Sequence, residues 1–96
     1  MFLILLDYVK PLDAVDAHLD AHRAFLARHY ADGSFLLSGR KEPRTGGVIL
    51  ARAPSREAAE ALVREDPFHA TGVARYTVIE FHPTLSAPVL ASLVDG

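Results

Sequence analysis

Residues 2–9 read Phe-Leu-Ile-Leu-Leu-Asp-Tyr-Val, and Lys10-Pro11 closes the run. The composition favours an extended strand, and proline disfavours helix at the residue before it. Successive side chains of a strand point to opposite faces. Phe2, Ile4 and Leu6 therefore occupy one face and Leu3 and Leu5 the other, and both sets are apolar. A sheet with one wet face alternates apolar and polar residues. This strand is predicted to be covered on both sides. Val48-Ile-Leu-Ala51 and Val78-Ile79 also offer apolar residues to both faces.

Working outward, Asp13 or Asp16 is placed to cap a helix running to about Ala31, stopped by Asp32-Gly33. Ser34 to Arg40 reads as a second strand, followed by a loop containing Glu42-Pro43 and Gly46-Gly47. Val48 to Ala53 reads as a third strand. Ser55 is the N-cap expected for a second helix through Glu65, and Asp66-Pro67 ends it and opens a short turn through Gly72. Val73 to His82 is the fourth strand, stopped by Pro83. The order is two βαβ halves, a ferredoxin-like α+β plan. Right-handed crossovers place both helices on one face of a four-stranded antiparallel sheet. Residues 1–83 form the expected domain. The tail, 84–96, is apolar around Val89 to Val94 and is expected to pack on the domain or on a partner, as a short helix. Two helices cover only one sheet face, so a homodimer with sheets face to face is the expected assembly.

Ninety-six residues allow one core. Half the residues are apolar and 23% are charged, which is a globular composition. The net charge of −2 comes from ten basic and twelve acidic residues, with no basic block that would neutralise a phosphate backbone. Nucleic acid is excluded as an expected partner. There is no cysteine, hence no disulfide framework, thiol nucleophile or thiolate metal site. The apolar start is broken by Asp7 and falls far short of the about 20 residues a membrane helix needs. A cytoplasmic protein with no membrane contact is expected.

At about 100° per residue, Val15, Leu19, His22, Leu26 and Tyr30 share one stripe of the first helix, expected to face the sheet. His18, Phe25 and His29 lie at its margin. A histidine on the buried side of a helix needs a hydrogen-bond partner. One reading makes His22 structural, bonded to a carbonyl or a tyrosine. Another pairs it with His18 on a metal, but no HExxH pattern or third ligand accompanies them. Asp66 likewise has two readings. Before Pro67 it is a good helix cap. Because the second helix packs beside the first, its carboxylate is also placed to reach His22, fix the tautomer and raise the basicity of the ring.

Four segments carry a family resemblance: His18-Leu-Asp-Ala-His22-Arg-Ala-Phe-Leu26, Gly33-Ser-Phe-Leu-Leu-Ser-Gly39, Glu57-Ala-Ala-Glu60 and Asp66-Pro67-Phe68. Together, and in order over about residues 1–83, they resemble the YciI-like family within the dimeric ferredoxin-like α+β barrels. The resemblance implies a homodimer and a His–Asp dyad carried onto His22 and Asp66. It also implies a pocket wall at Ser38-Gly39, where Gly39 lets a ligand approach the backbone. Relatives by this resemblance remove hydrogen chloride from a chlorinated hydroxyquinol, and neighbouring families hold muconolactone isomerases and cofactor-free monooxygenases. The loop from Lys41 to Gly47 carries over no substrate contact.

The expected function is a cofactor-free lyase or isomerase of an activated small molecule, with His22 as general base and Asp66 holding it. No metal or haem is expected. Arg40 and Tyr8 are candidate substrate-orienting groups, and Ser38 a candidate donor to a substrate oxygen. Arg75 and Tyr76 read as ordinary sheet residues. The competing expectation is a non-catalytic dimer that binds a small ligand, its dyad serving only to fix the packing of the two helices.

Overall fold

In the computed structural model, which describes residues 1–94, the doubly apolar strand β1 (Phe2–Tyr8) lies inside the sheet. It pairs antiparallel with β3 (Gly46–Ala51) on one side and β4 (Ala74–Glu80) on the other, and β2 (Phe35–Arg40) adds to the far edge of β3. The order β2-β3-β1-β4, antiparallel throughout, is the ferredoxin-like arrangement expected from the sequence. Gly46 fixes part of this register. A Cβ there would stand 1.8 Å from the Leu6 carbonyl oxygen, so no larger residue fits beside β1.

The register places Phe2, Ile4 and Leu6 on the face that also carries Ile49 and Ala51, and all five are buried under the helices. Burying a side chain such as Phe2 stabilises the fold by about 1.5–3 kcal/mol. β2 contributes through a bulge between Phe35 and Leu37. One extra residue changes which side chains share a face. Phe35 therefore opposes Ala51, and Ser38 opposes Ile49. Regular alternation would have turned Leu37 and Gly39 towards the helices. Instead Ser38 and Arg40 share the helix side with Phe35, and Leu37 stands outside, 68% exposed.

The helical layer differs from the expectation at one point. The single helix anticipated through Ala31 is two: α1 (Leu12–Asp16) and α2 (Leu19–Ala31). Neither Asp13 nor Asp16 caps them by its side chain. Pro11 and His18 occupy the N-cap positions, and His18, with φ −112° and ψ 9°, interrupts the helical path. The restart turns the buried stripe of α2. Phe25 and His29, expected at the margin, are buried against Phe35, with ring centroids 5.5 and 5.1 Å away. Tyr30, expected to be inside, is 40% exposed. Val15, on α1, keeps its expected burial. Gly33, with φ +83°, ends α2 in a left-handed conformation that glycine adopts without strain.

α3 (Arg56–Arg64) starts as expected, Ser55 accepting from the Ala58 amide at 3.1 Å. A further short helix, α4 (Pro67–Ala70), follows it, with Asp66 as its N-cap. Beyond β4 the chain runs into a 3₁₀ segment, Pro88–Leu93, whose Leu85 and Val89 neighbourhood is exposed. The last two residues of the expected tail lie outside the described residues. On the sheet face away from the helices, Leu3, Leu5, Val48 and Leu50 are only partly buried, and Leu37, Ile79 and Phe81 are exposed.

Candidate functional site

The corner between α3 and α4 builds the site. Asp66 has extended backbone, φ −71° and ψ 126°, and its Oδ1 accepts from the Phe68 amide at 3.0 Å. The same oxygen accepts from His22 Nδ1 on α2 at 2.8 Å. The second oxygen, Oδ2, accepts from the Tyr76 hydroxyl on β4. The residue is completely buried. A buried carboxylate is tolerable only where donors replace its water, and these three do so. The helix-cap reading and the His22-partner reading of Asp66 thus describe one side chain doing both.

Tyr76, read from the sequence as an ordinary sheet residue, is a correction. The β1–β4 register sets it opposite Leu6 on the helix face, where its hydroxyl meets Asp66. Burial first, then the neighbouring Asp66 charge and the hydrogen bond to it, push the phenol well above its ordinary range. Tyr76 therefore stays an O–H donor at neutral pH. Arg75, one residue earlier, is exposed.

The contact with Asp66 assigns the His22 tautomer. An ionised carboxylate only accepts, so Nδ1 carries the hydrogen of this contact. Among the described residues Nε2 has no hydrogen-bond partner, and no buried side-chain nitrogen or oxygen lacks one. The free nitrogen is therefore open to solvent. The ring plane is held by Phe68, stacked at 4.0 Å and within 5° of parallel, and Tyr8 meets the Phe68 ring edge-on at 6.0 Å.

His22 borders a cleft of about 450 Å³ between α2 and the sheet. That volume suits a small organic ligand. Leu19 and Leu26 join it from α2, Leu6 and Tyr8 from β1, and Ser38, Gly39 and Arg40 from β2. All four expected substrate-side residues, Tyr8, Ser38, Gly39 and Arg40, therefore border one cavity together with His22, while Asp66 stands behind the histidine. Ser38 is engaged with the Tyr30 hydroxyl at 2.5 Å, and Arg40 gives its Nε to Glu42 at 2.9 Å. Gly39 opposes Val48 on the face away from the helices, where a Cβ would meet nothing within 4 Å, so it borders the cleft by its backbone.

Sequence reasoning missed Arg44, Arg23 and Asp16, which also border the cleft. Arg44 belongs to the β2–β3 loop, from which no contact was expected. Two contacts pin that loop to the end of β1: Lys41 Nζ to Asp7 Oδ1 at 2.5 Å, and the Tyr8 amide to the Thr45 carbonyl at 2.9 Å. They carry Arg44 back over the cleft, where its Nη2 bonds Asp16 Oδ1 at 2.5 Å and its guanidinium lies 6.0 Å from the Tyr8 ring centre. The hydrogen bond from Arg44 holds the Asp16 carboxyl below the usual carboxylate range. The available sequence signal was the basic cluster Arg40, Lys41 and Arg44 in a tight hairpin after Ser38-Gly39. His18 caps α2, and among the described residues no three His, Asp or Glu side chains are grouped to hold a metal ion. No described helix is long and apolar enough to cross a membrane.

Residues 1–82 match the YCII-related domain. The chain belongs to that family. No curated protein matches this YCII-related chain significantly in sequence. Its fold is similar to that of 5-chloro-2-hydroxyhydroquinone dehydrochlorinase from Burkholderia phenoliruptrix AC1100, solved in complex with 2,5-dihydroxybenzoquinone. The TM-score is 0.72 at 20% identity, over 86% of this chain and 95% of that one. At that identity the likeness speaks for the fold.

Proposed function

We propose that this YCII-related protein is a cofactor-free lyase or isomerase of small activated molecules, with His22 as general base. The observation that carries the reading is the asymmetry of one imidazole: Nδ1 is held by a buried carboxylate, and Nε2 is open beside a ligand-sized cleft. In an elimination, Nε2 takes the proton from the substrate and the freed electron pair becomes a new π bond. The leaving group, such as chloride, departs with its bonding pair. The balance is the loss of HX, with no electron carrier needed. Asp66 stays ionised and stabilises the imidazolium that forms, as the carboxylate of a catalytic triad does. Proton transfer by such a base contributes roughly 10²–10⁴-fold in rate, enough for an acidic C–H or O–H. The structural neighbour's dehydrochlorinase name supports elimination over isomerisation.

Chloride release from 5-chloro-2-hydroxyhydroquinone and related halogenated rings tests this. Turnover by the parent and its loss in His22→Gln, with an unchanged melting temperature, is the expected result. A destabilised variant, or no turnover by the parent on any activated ring, favours the second reading: a ligand-binding protein whose dyad only fixes the helices. The complete burial of Asp66 in a helix cap is the observation on that side.

The same proposal includes a homodimer and a cytoplasmic setting. Apolar side chains on the uncovered sheet face support the dimer, as does the exposed tail after Pro83, which would lie across the partner rather than on domain 1–83. Light scattering should give a mass near twice the 10.5 kDa of one chain. A single-chain mass at micromolar concentration would refute the dimer.

A further inference from the structure

The cleft beside His22 is cationic in a chain whose net charge is −2. Arg23, Arg40 and Arg44 border it, against one lining carboxylate, Asp16, while Asp20 and Glu42 pair with Arg23 and Arg40 from outside the lining. Low-dielectric walls focus such a charge on whatever enters. Arg40 and Arg44 flank the cleft from the end of β2 and the β2–β3 loop, Arg23 joins from α2, and Leu6, Leu19 and Leu26 supply apolar wall. Arg44 already holds an oxyanion there, the Asp16 carboxylate at 2.5 Å. Both members of that pair are partly solvent-exposed, and exposed ion pairs contribute little to stability. Replacing Asp16 with another carboxylate-like group is therefore inexpensive. Arg44 has five N–H donors arranged to grip a planar oxyanion, and Asp16 uses only part of that fork. Arg40 commits its Nε to Glu42, while its terminal amines make no hydrogen bond among the described residues.

We infer that the cleft takes a small ring anion, a carboxylate or an ionised ring hydroxyl, whose charged group displaces Asp16 from Arg44 and is flanked by Arg40. This rests on the cleft being the working site proposed above. It adds the charge of the ligand and gives Asp16 the part of an internal stand-in. The ring of such a ligand lies along the apolar wall, within reach of the open nitrogen of His22.

Binding is measured by calorimetry in two arms. One compares 2,5-dihydroxybenzoquinone, ionised at neutral pH, with its uncharged dimethyl ether. The other compares benzoate with benzamide. At least one anion should bind about tenfold more tightly than its neutral counterpart, which identifies the oxyanion source. Arg44→Gln should lower that anion's affinity by about tenfold, the worth of a hydrogen bond to a charged group. Arg44→Lys should retain part of it. Asp16→Asn should raise the affinity, because the competitor has lost its charge. Opposite signs for Asp16→Asn and Arg44→Gln separate a displaced stand-in from a strut that holds the loop, since removing either end of a strut would weaken binding alike. Equal binding of anion and neutral ring overturns the inference. So does weakened binding in Asp16→Asn, or no binding of either anion up to millimolar concentration. If anions bind as stated and His22→Gln costs no turnover, the catalytic proposal alone fails.

Discussion

Two histidines stand two turns apart on α2, and each meets a carboxylate from the end of α3. His22 bonds Asp66, and His29 bonds Glu65, the residue just before it. The neighbouring pairs are built for opposite ends. His29 has both nitrogens engaged, Nδ1 with Asp32 at 2.9 Å and Nε2 with Glu65 at 3.0 Å, and its ring is buried against Phe25 and Phe35. No nitrogen is left for a ligand. His22 has one nitrogen fixed and the other open to solvent, on a ring that borders a cleft. A ring nitrogen can take a proton from a ligand only where it is reachable and not already engaged. The His29 pair ties α2 to α3, and the His22 pair leaves the free ring nitrogen that the proposed base requires.

The comparison is broken most forcefully by exchanging the two roles. His22→Gln is expected to lower turnover on any accepted substrate by roughly 10²–10⁴-fold, and His29→Gln to leave it nearly intact. Equal losses would show that both act through the fold. Stability should move the other way. His29→Gln removes two contacts from a buried ring and should cost about 1–3 kcal/mol, read as a melting temperature lower by several degrees. Tyr76→Phe sharpens the contrast further. It leaves Asp66 with two of its three donors, and kcat should fall about tenfold. Ligand affinity should stay unchanged, because the hydroxyl stands behind the base and not in the cleft. A change in affinity with unaltered kcat would remove Tyr76 from the dyad's support.

The smallest effect concerns pH and the Asp16–Arg44 pair. Arg44 depresses the Asp16 value in the folded protein. A depressed carboxyl contributes stability that is present above its unfolded value, about 3.9, and is lost as pH falls through the lower folded value. Thermal melts taken on acidification through that range should fall less steeply in Asp16→Asn than in the parent. Parallel curves would mean that the pair contributes nothing to folding.

Much of the site was legible because its local chemistry is stated twice. Asp66-Pro67-Phe68 reads as a helix cap by residue type alone, and the structure uses the same carboxylate to hold His22. His22 stood out as a basic group among apolar neighbours on a helix. Tyr8 and Arg40 could be named because they sit at strand ends, and Ser38-Gly39 because the family resemblance implied a pocket wall there. Tyr76 could not, since whether a strand tyrosine faces helices or solvent depends on register, and a slip of one residue reverses it. Arg44 was invisible for a related reason: only the pinning of the hairpin to β1 turns its loop over the cleft.

The sequence by itself determined the strands, the two crossovers and the cap at Asp66, because each follows from side-chain period, proline and capping residues within a few positions. The tertiary structure decided the break at His18, the bulge that aims Ser38 and Arg40 inward, and the sorting of His22 from His29. These depend on contacts between residues far apart in the chain, 44 positions in the case of His22 and Asp66. No local propensity encodes which nitrogen of which ring such a contact will leave free.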